Sequence, residues 1–186
     1  SRVLIADGAM GTYLYGQGID ACFEELNVTN PEKIISVHEA YVRAGAEVIQ
    51  TNTYAANVLK LEKYNLDKEV RALNRAAVRL AKEAAKQNAF VLGTVGGIRR
   101  FQLDDWDLQE VESAFHEQMT VLLDEGVDGL LLETFYDFDE ALLATKLART
   151  LTDRPLVVNL SLGEVGVFHG GITVTDAFEK LAQAGA

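Results

Sequence analysis

The sequence predicts an α/β protein built on a parallel sheet, and three observations carry that expectation. Short, continuously apolar runs rich in Val, Ile and Leu alternate with amphipathic helical patterns along the chain. Runs of that kind suit strands buried on both faces, as in parallel sheets flanked by helices. Several helical patterns also stop on a glycine, with the next apolar run close behind. Finally, part of the layout repeats. RAGAEVIQTNT (43–53) and DEGVDGLLLET (124–134) share a helix end, a glycine, a small residue, an acid, a strand and a polar cluster, and the last residues, AQAGA, read as the start of a third copy. Five βα units fit either an open doubly wound sheet or part of a (β/α)8 barrel, since a whole barrel takes about 250 residues.

Strands are expected at 3–7, 47–52, 90–95, 129–133 and 156–161. Between the first two, Asn30-Pro31-Glu32 reads as a helix start, with a capping residue, Pro at the first helical position and an acid near the positive end of the dipole. The 66–86 segment carries the clearest helical stripe, Leu66, Val70, Leu73, Ala77, Leu80 and Ala84, at steps of four and three. Asp107 to Glu110 and Asp137 to Glu140 read as capping boxes. Helix stops are expected at Gly45, Gly126 and Gly185.

With 186 residues, two prolines and no low-complexity tract, the chain reads as one domain over 1–186 with a single sizeable core. A net charge of −11 argues against nucleic acid or an anionic membrane as partner, because both need a basic face. No apolar stretch approaches the roughly 20 residues that span a bilayer. Cys22 is the one cysteine, so no internal disulfide can form, which fits a reducing cytoplasm.

In parallel architectures ligands meet the carboxyl ends of the strands. Those ends carry Asp7 in DGAMGT, Thr51 and Asn52 in QTNTY, Thr94, Glu133 and Asn159. Asp7 could simply form a turn or a cap, and Asn52 could simply tie loops together. Glu133 follows the run Gly129-Leu-Leu-Leu132 and needs a cationic or hydrogen-bonding partner if buried. Arg99 and Arg100 are the only cations expected near the strand ends, so two carboxylates in one mouth suit a ligand that brings its own positive charge, such as an ammonium group. A phosphate site is disfavoured: DGAMGT lacks the P-loop lysine, and neither it nor TVGGIRR fits G-x-G-x-x-G. His38, His116 and His169 show no metal-ligand spacing and read as packing or surface residues.

In combination and order, DGAMGT, EELN (24–27), NPEKIISVHEAYVRAGAEVIQTNTY, DEGVDGLLLET and the following ETF with its acid (133–137) resemble the homocysteine S-methyltransferase (homocysteine-binding domain) family. TVGGI and SLGEVGVFHGG are most similar to the N-terminal part of bacterial bifunctional homocysteine S-methyltransferase/methylenetetrahydrofolate reductases. The resemblance implies a (β/α)8 TIM barrel, here about its first five βα units, and methyl transfer from a folate or other donor to a zinc-bound homocysteine thiolate, giving methionine. It implies that Asp7 and Glu133 hold the homocysteine ammonium while Gly8, Thr51 and Asn52 line the pocket, the glycines leaving room for the ligand. The zinc cysteines of the family are expected beyond Ala186. No metal ligand is expected within 1–186, since Cys22 matches none of their positions, and the chain reads as an inactive fragment. FAD would belong to a fused reductase domain. Two other readings stay open: a homocysteine- or amino-acid-binding module without catalysis, and a phosphate-binding α/β domain.

Overall fold

A computed structural model of the chain describes residues 2–19, 21–98, 107–162 and 171–186. Arg99, Arg100, His169 and most of the glycine-rich 163–171 loop lie outside the described residues. Four strands form one parallel sheet in chain order: β1 (Val48–Gln50), β2 (Phe90–Gly96), β3 (Gly129–Phe135) and β4 (Leu156–Leu160). Around them lie α1 (Met10–Gly16), α2 (Leu26–Thr29), α3 (Pro31–Arg43), α4 (Val58–Leu61), α5 (Val70–Ala85), α6 (Leu108–Asp124), α7 (Phe138–Leu151) and α8 (Val174–Ala184).

The arrangement decides between the two architectures. A doubly wound sheet reverses its strand order at a switch point and divides its helices between two faces. Here the order is sequential, and α3 packs on α5, α5 on α6, α6 on α7 and α7 on α8. Consecutive helices that touch must share one side of the sheet, as in the outer ring of a (β/α) barrel. The pleat then sorts the strand residues. Ile49, Val91, Val95, Leu130 and Leu132 belong to the main core under the helices, where Phe115 and Phe135 also meet with ring centroids 5.7 Å apart. The alternate positions, Gln50, Thr94, Leu131 and Glu133, face the other way.

The expected first strand is reduced to one isolated bridge, Ala6 to Val48. Ile5 accepts from the Glu47 and Val48 amides at 2.8 and 3.1 Å, and the Asp7 amide donates to Val48 at 2.9 Å. These bonds reach one neighbour only; Val3 and Ile5 stay 88% and 61% exposed. An apolar run supplies the side chains of a strand, but a ladder needs backbone partners that a local pattern does not specify.

Other elements shift slightly. The 66–86 helix begins as a 3-10 turn at Asp67–Glu69 and becomes α-helical at Val70, with Val70, Leu73, Ala77, Leu80 and Ala84 buried as their spacing requires. Asp107 and Asp137 cap their helices, accepting from the Glu110 and Glu140 amides at 2.8 and 3.0 Å. Asn30 does not cap through its side chain; its backbone carbonyl accepts from Lys33 instead. Gly45, Gly126 and Gly185 end their helices with φ of 102°, 79° and 107°, a region costly for residues with a Cβ.

The internal repeat has a physical basis. Glu47 and Asp128 occupy its acid position, and each accepts from the backbone N–H of the preceding strand segment: Glu47 from Ile5 at 3.3 Å and Asp128 from Val91 at 2.7 Å. The acid clamps the start of each new strand to the one before it.

Candidate functional site

A pocket of about 570 Å³ opens at the carboxyl ends of the strands. Its wall comes from the 7–12 segment that leads into α1, Phe23 and Glu24 before α2, Gln50 at the end of β1 with residues 51–54 after it, Thr94 of β2 and Glu133 of β3. Asp7, Gly8, Thr51, Asn52 and Glu133 are all brought to this one place, although they come from three different strand ends.

Asp7 is held from both sides by Gln50, whose backbone and side-chain amides donate to its two oxygens at 2.9 Å each. Burial still outweighs those bonds and pushes its carboxyl up to about 6. Glu133 is also raised, first by burial and then by the charge of Asp7. The two carboxylates therefore sense each other, and no Lys or Arg lies among the described lining residues.

Glu133 is aimed by an irregular backbone. The register between β3 and β4 shifts between Leu132 and Phe135, and Thr134 has φ of +57°. A β-branched residue in the left-handed region is strained by about 1–3 kcal/mol. Thr134→Gly is expected to raise stability by about 1 kcal/mol in denaturant melting; a loss would show that the threonine side chain outweighs its backbone strain.

Thr51 and Asn52 line the pocket, but their polar tips are engaged by the protein. The Thr51 hydroxyl meets Thr53 Oγ1 at 2.6 Å and accepts from the Thr94 amide at 3.0 Å. The Asn52 amide donates to the Phe23 carbonyl at 2.8 Å and to Asn27 Oδ1 at 3.0 Å, tying two loops together. The space at Gly8 has a different use from the one expected. A Cβ there would lie 2.8 Å from the Tyr41 hydroxyl oxygen, so the glycine admits the protein's own tyrosine, whose hydroxyl donates to Ala9 at 3.3 Å.

Glu24 was not among the expected site residues. It is a third carboxylate of the wall, buried, with its carboxyl raised mainly by that burial. It accepts from the Ala55 amide at 2.8 Å and from the Cys22 thiol at 3.5 Å. It stood in EELN, one of the motifs that carry the family resemblance, but without an assigned role. Burial and the neighbouring Glu24 push the Cys22 thiol up to about 11, which opposes the thiolate a metal would need. Among the described residues no group of three His, Cys, Asp or Glu side chains could hold a metal.

The sequence profile described as homocysteine S-methyltransferase matches residues 4–186. The chain belongs to the homocysteine S-methyltransferase family. Its relatives include methionine synthase of Mycobacterium leprae (strain TN), 29% identical over 204 residues, which covers 99% of this chain and 17% of the relative. Betaine–homocysteine S-methyltransferase 1 of Danio rerio is 33% identical over 165 residues, covering 87% and 40%. The crystal structure of the homocysteine methyltransferase MmuM from Escherichia coli, in its metallated form, superposes with a TM-score of 0.86 at 26% identity, covering 98% of this chain and 71% of that one. This member of the homocysteine S-methyltransferase family thus spans less than half the length of those two curated relatives, and most of the solved one. No helix among its described residues is long and apolar enough to cross a membrane.

Proposed function

We propose that this chain takes part in homocysteine S-methyltransfer by gripping the amino-acid end of homocysteine. The observation that carries this reading is the pairing of Asp7 and Glu133 in one pocket with no Lys or Arg among the described lining residues. Two carboxylates forced together in a partly dry site repel, and a ligand ammonium placed between them relieves that repulsion. It gains charge-assisted hydrogen bonds as well. Gln50 fixes the orientation of Asp7, and the Thr134 turn fixes that of Glu133, so the binding groups are set before the ligand arrives.

In the reaction a new S–CH3 bond forms as the donor's bond to that methyl breaks, and the thiol proton must leave homocysteine beforehand. Zinc would serve that deprotonation in the family, but the described residues do not fit a zinc site. Their work is to bind and orient, which presents the sulfur at a fixed place in the mouth of the sheet. On this reading homocysteine and a folate or other methyl donor are the partners in a cytoplasmic setting, and any FAD belongs to a fused reductase domain.

The test is Glu133→Gln in the intact protein, with homocysteine measured beside 4-mercaptobutyrate, which lacks the amine. Losing a charge-assisted bond of about 1.5–3 kcal/mol weakens homocysteine roughly 10- to 150-fold and leaves the deaminated analogue unchanged. An equal loss for both ligands would mean that Glu133 only supports the fold.

A further inference from the structure

The loop after β1, residues 51–57, supplies part of the pocket wall, and its backbone is held almost atom by atom from outside. Asn27 of α2 donates its amide to the Asn52 carbonyl at 2.8 Å. Gln118 of α6 donates to the Thr53 carbonyl at 2.7 Å. The Gly96 amide donates to the Tyr54 carbonyl at 3.0 Å, and Glu24 accepts from the Ala55 amide at 2.8 Å. Asn74 of α5 donates to the Ala56 carbonyl at 2.7 Å.

Asn27, Asn74 and Gln118 are 2%, 0% and 0% exposed, and none of the three lines the pocket. Burying an amide on a helix is unfavourable unless it is hydrogen-bonded. The Gln118 oxygen has no partner among the described residues, so this side chain is not optimised for stability alone. What it supplies is its N–H donors, directed at Thr53 and, at 3.4 Å each, at the Thr94 carbonyl and Asn74 Oδ1. Gln118 and Asn74 are thereby linked into one network that spans two helices and holds the loop at the Thr53 and Ala56 carbonyls.

We propose that Asn27, Asn74 and Gln118 are positioning residues, which hold the 51–57 loop in the conformation that receives the ligand. The ligand part of this inference rests on the homocysteine reading above; the loop part does not. Each residue acts through groups of the loop, chiefly its backbone carbonyls and for Asn27 also the Asn52 side chain, and not by touching the ligand. A loop left free to shift by about 1 Å can lose on the order of 100-fold in activity, so the network carries function as well as fold.

The test uses Gln118→Met in the intact protein, which keeps length and volume but removes the donors. Leu147→Ala, a core deletion in α7, serves as a control matched for loss of thermal stability. Hydrogen exchange of the 52–57 segment and homocysteine affinity are measured in wild type and both variants. With Gln118→Met, exchange in 52–57 rises about tenfold or more beyond that of the rest of the chain, and affinity falls about tenfold. Leu147→Ala produces neither change at equal melting temperature. If Gln118→Met loosens the whole chain evenly, as the control does, the positioning role is overturned. Should Gln118→Met not fold, Asn27→Ala at the other end of the loop gives the same readout. A wild type that fails to bind homocysteine overturns the ligand reading, while the exchange measurements still decide whether these residues position the loop.

Discussion

Gly96→Ala should abolish homocysteine binding and destabilise the chain by roughly 4 kcal/mol, adding an overpacking cost at the upper end of about 1–3 kcal/mol to about 1 kcal/mol for a lost hydrogen bond. A Cβ at this position would stand 2.4 Å from the Tyr54 carbonyl oxygen and 2.6 Å from two atoms of its ring. The first of those contacts is backbone, so no rotamer change relieves it. Either the last residues of β2 move or the 51–57 loop leaves the sheet, breaking the bond from the Gly96 amide to Tyr54. Both responses open the pocket wall. Gly16→Ala is the matched control, because a Cβ there has nothing within 4 Å. Thermal melting and calorimetric titration with homocysteine check the expectation; a Gly96→Ala variant with wild-type melting and affinity would contradict the close approach of loop and strand.

The second large effect is acid lability from His38. This residue of α3 is fully buried, and neither ring nitrogen has a hydrogen-bond partner among the described residues. Burial lowers its pKa from 6.5 to about 4, because the charged form cannot be solvated in place. The unfolded chain therefore binds the proton more readily than the native one. The stabilisation from keeping His38 neutral is complete above pH 6.5 and is lost as pH falls from 6.5 towards 4, about 3 kcal/mol in all. Asp7 works in the opposite sense over the same range: its raised carboxyl takes up a proton in the native state first, so it favours folding as pH falls below about 6. The clean measurement is therefore a difference. His38→Leu, close in volume, should match or exceed wild-type stability at pH 7.5, and its advantage should grow by about 3 kcal/mol by pH 4. A gap that stays constant with pH would show that the imidazole charges without penalty.

The periodic features of the fold were legible in the sequence. The stripe in α5, the caps at Asp107 and Asp137 and the glycine stops rest on bonds within a few residues of each other, and local pattern encodes them. The family motifs carried the barrel expectation, which the sequential strand order bears out. Periodicity alone left a doubly wound and a barrel-like sheet open, because strand order is set by pairing across 40 residues or so. The 3–7 segment failed as a full strand for the same reason. At the site, Asp7 and Glu133 stood out as acids directly behind apolar runs, and the structure brings them into one pocket. Thr51 and Asn52 were found as strand-end residues, but the partners that occupy their polar atoms lie on other elements. Asn27 stood in the EELN motif without an assigned role, and Asn74 and Gln118 gave no signal at all. A polar residue in an amphipathic helix ordinarily faces water, and only a distant loop reveals that these three do not.

That loop also sets an order of events. Because α5, α6, α7 and α8 each pack on the helix before them along the sheet, with α5 on α3, the chain can be assembled unit by unit as synthesis proceeds from the N-terminus. The 51–57 loop must wait for more than the next unit. Its Thr53 carbonyl waits for a donor 65 residues further along the chain, on α6, and its Tyr54 carbonyl waits for the end of β2. Until those segments exist, the loop carries backbone groups that only water can satisfy, and burying it would be unfavourable. Glu133 arrives later still. The scaffold is thus laid down early and its binding mouth matures last, so a nascent chain has much of its architecture before it can hold a ligand.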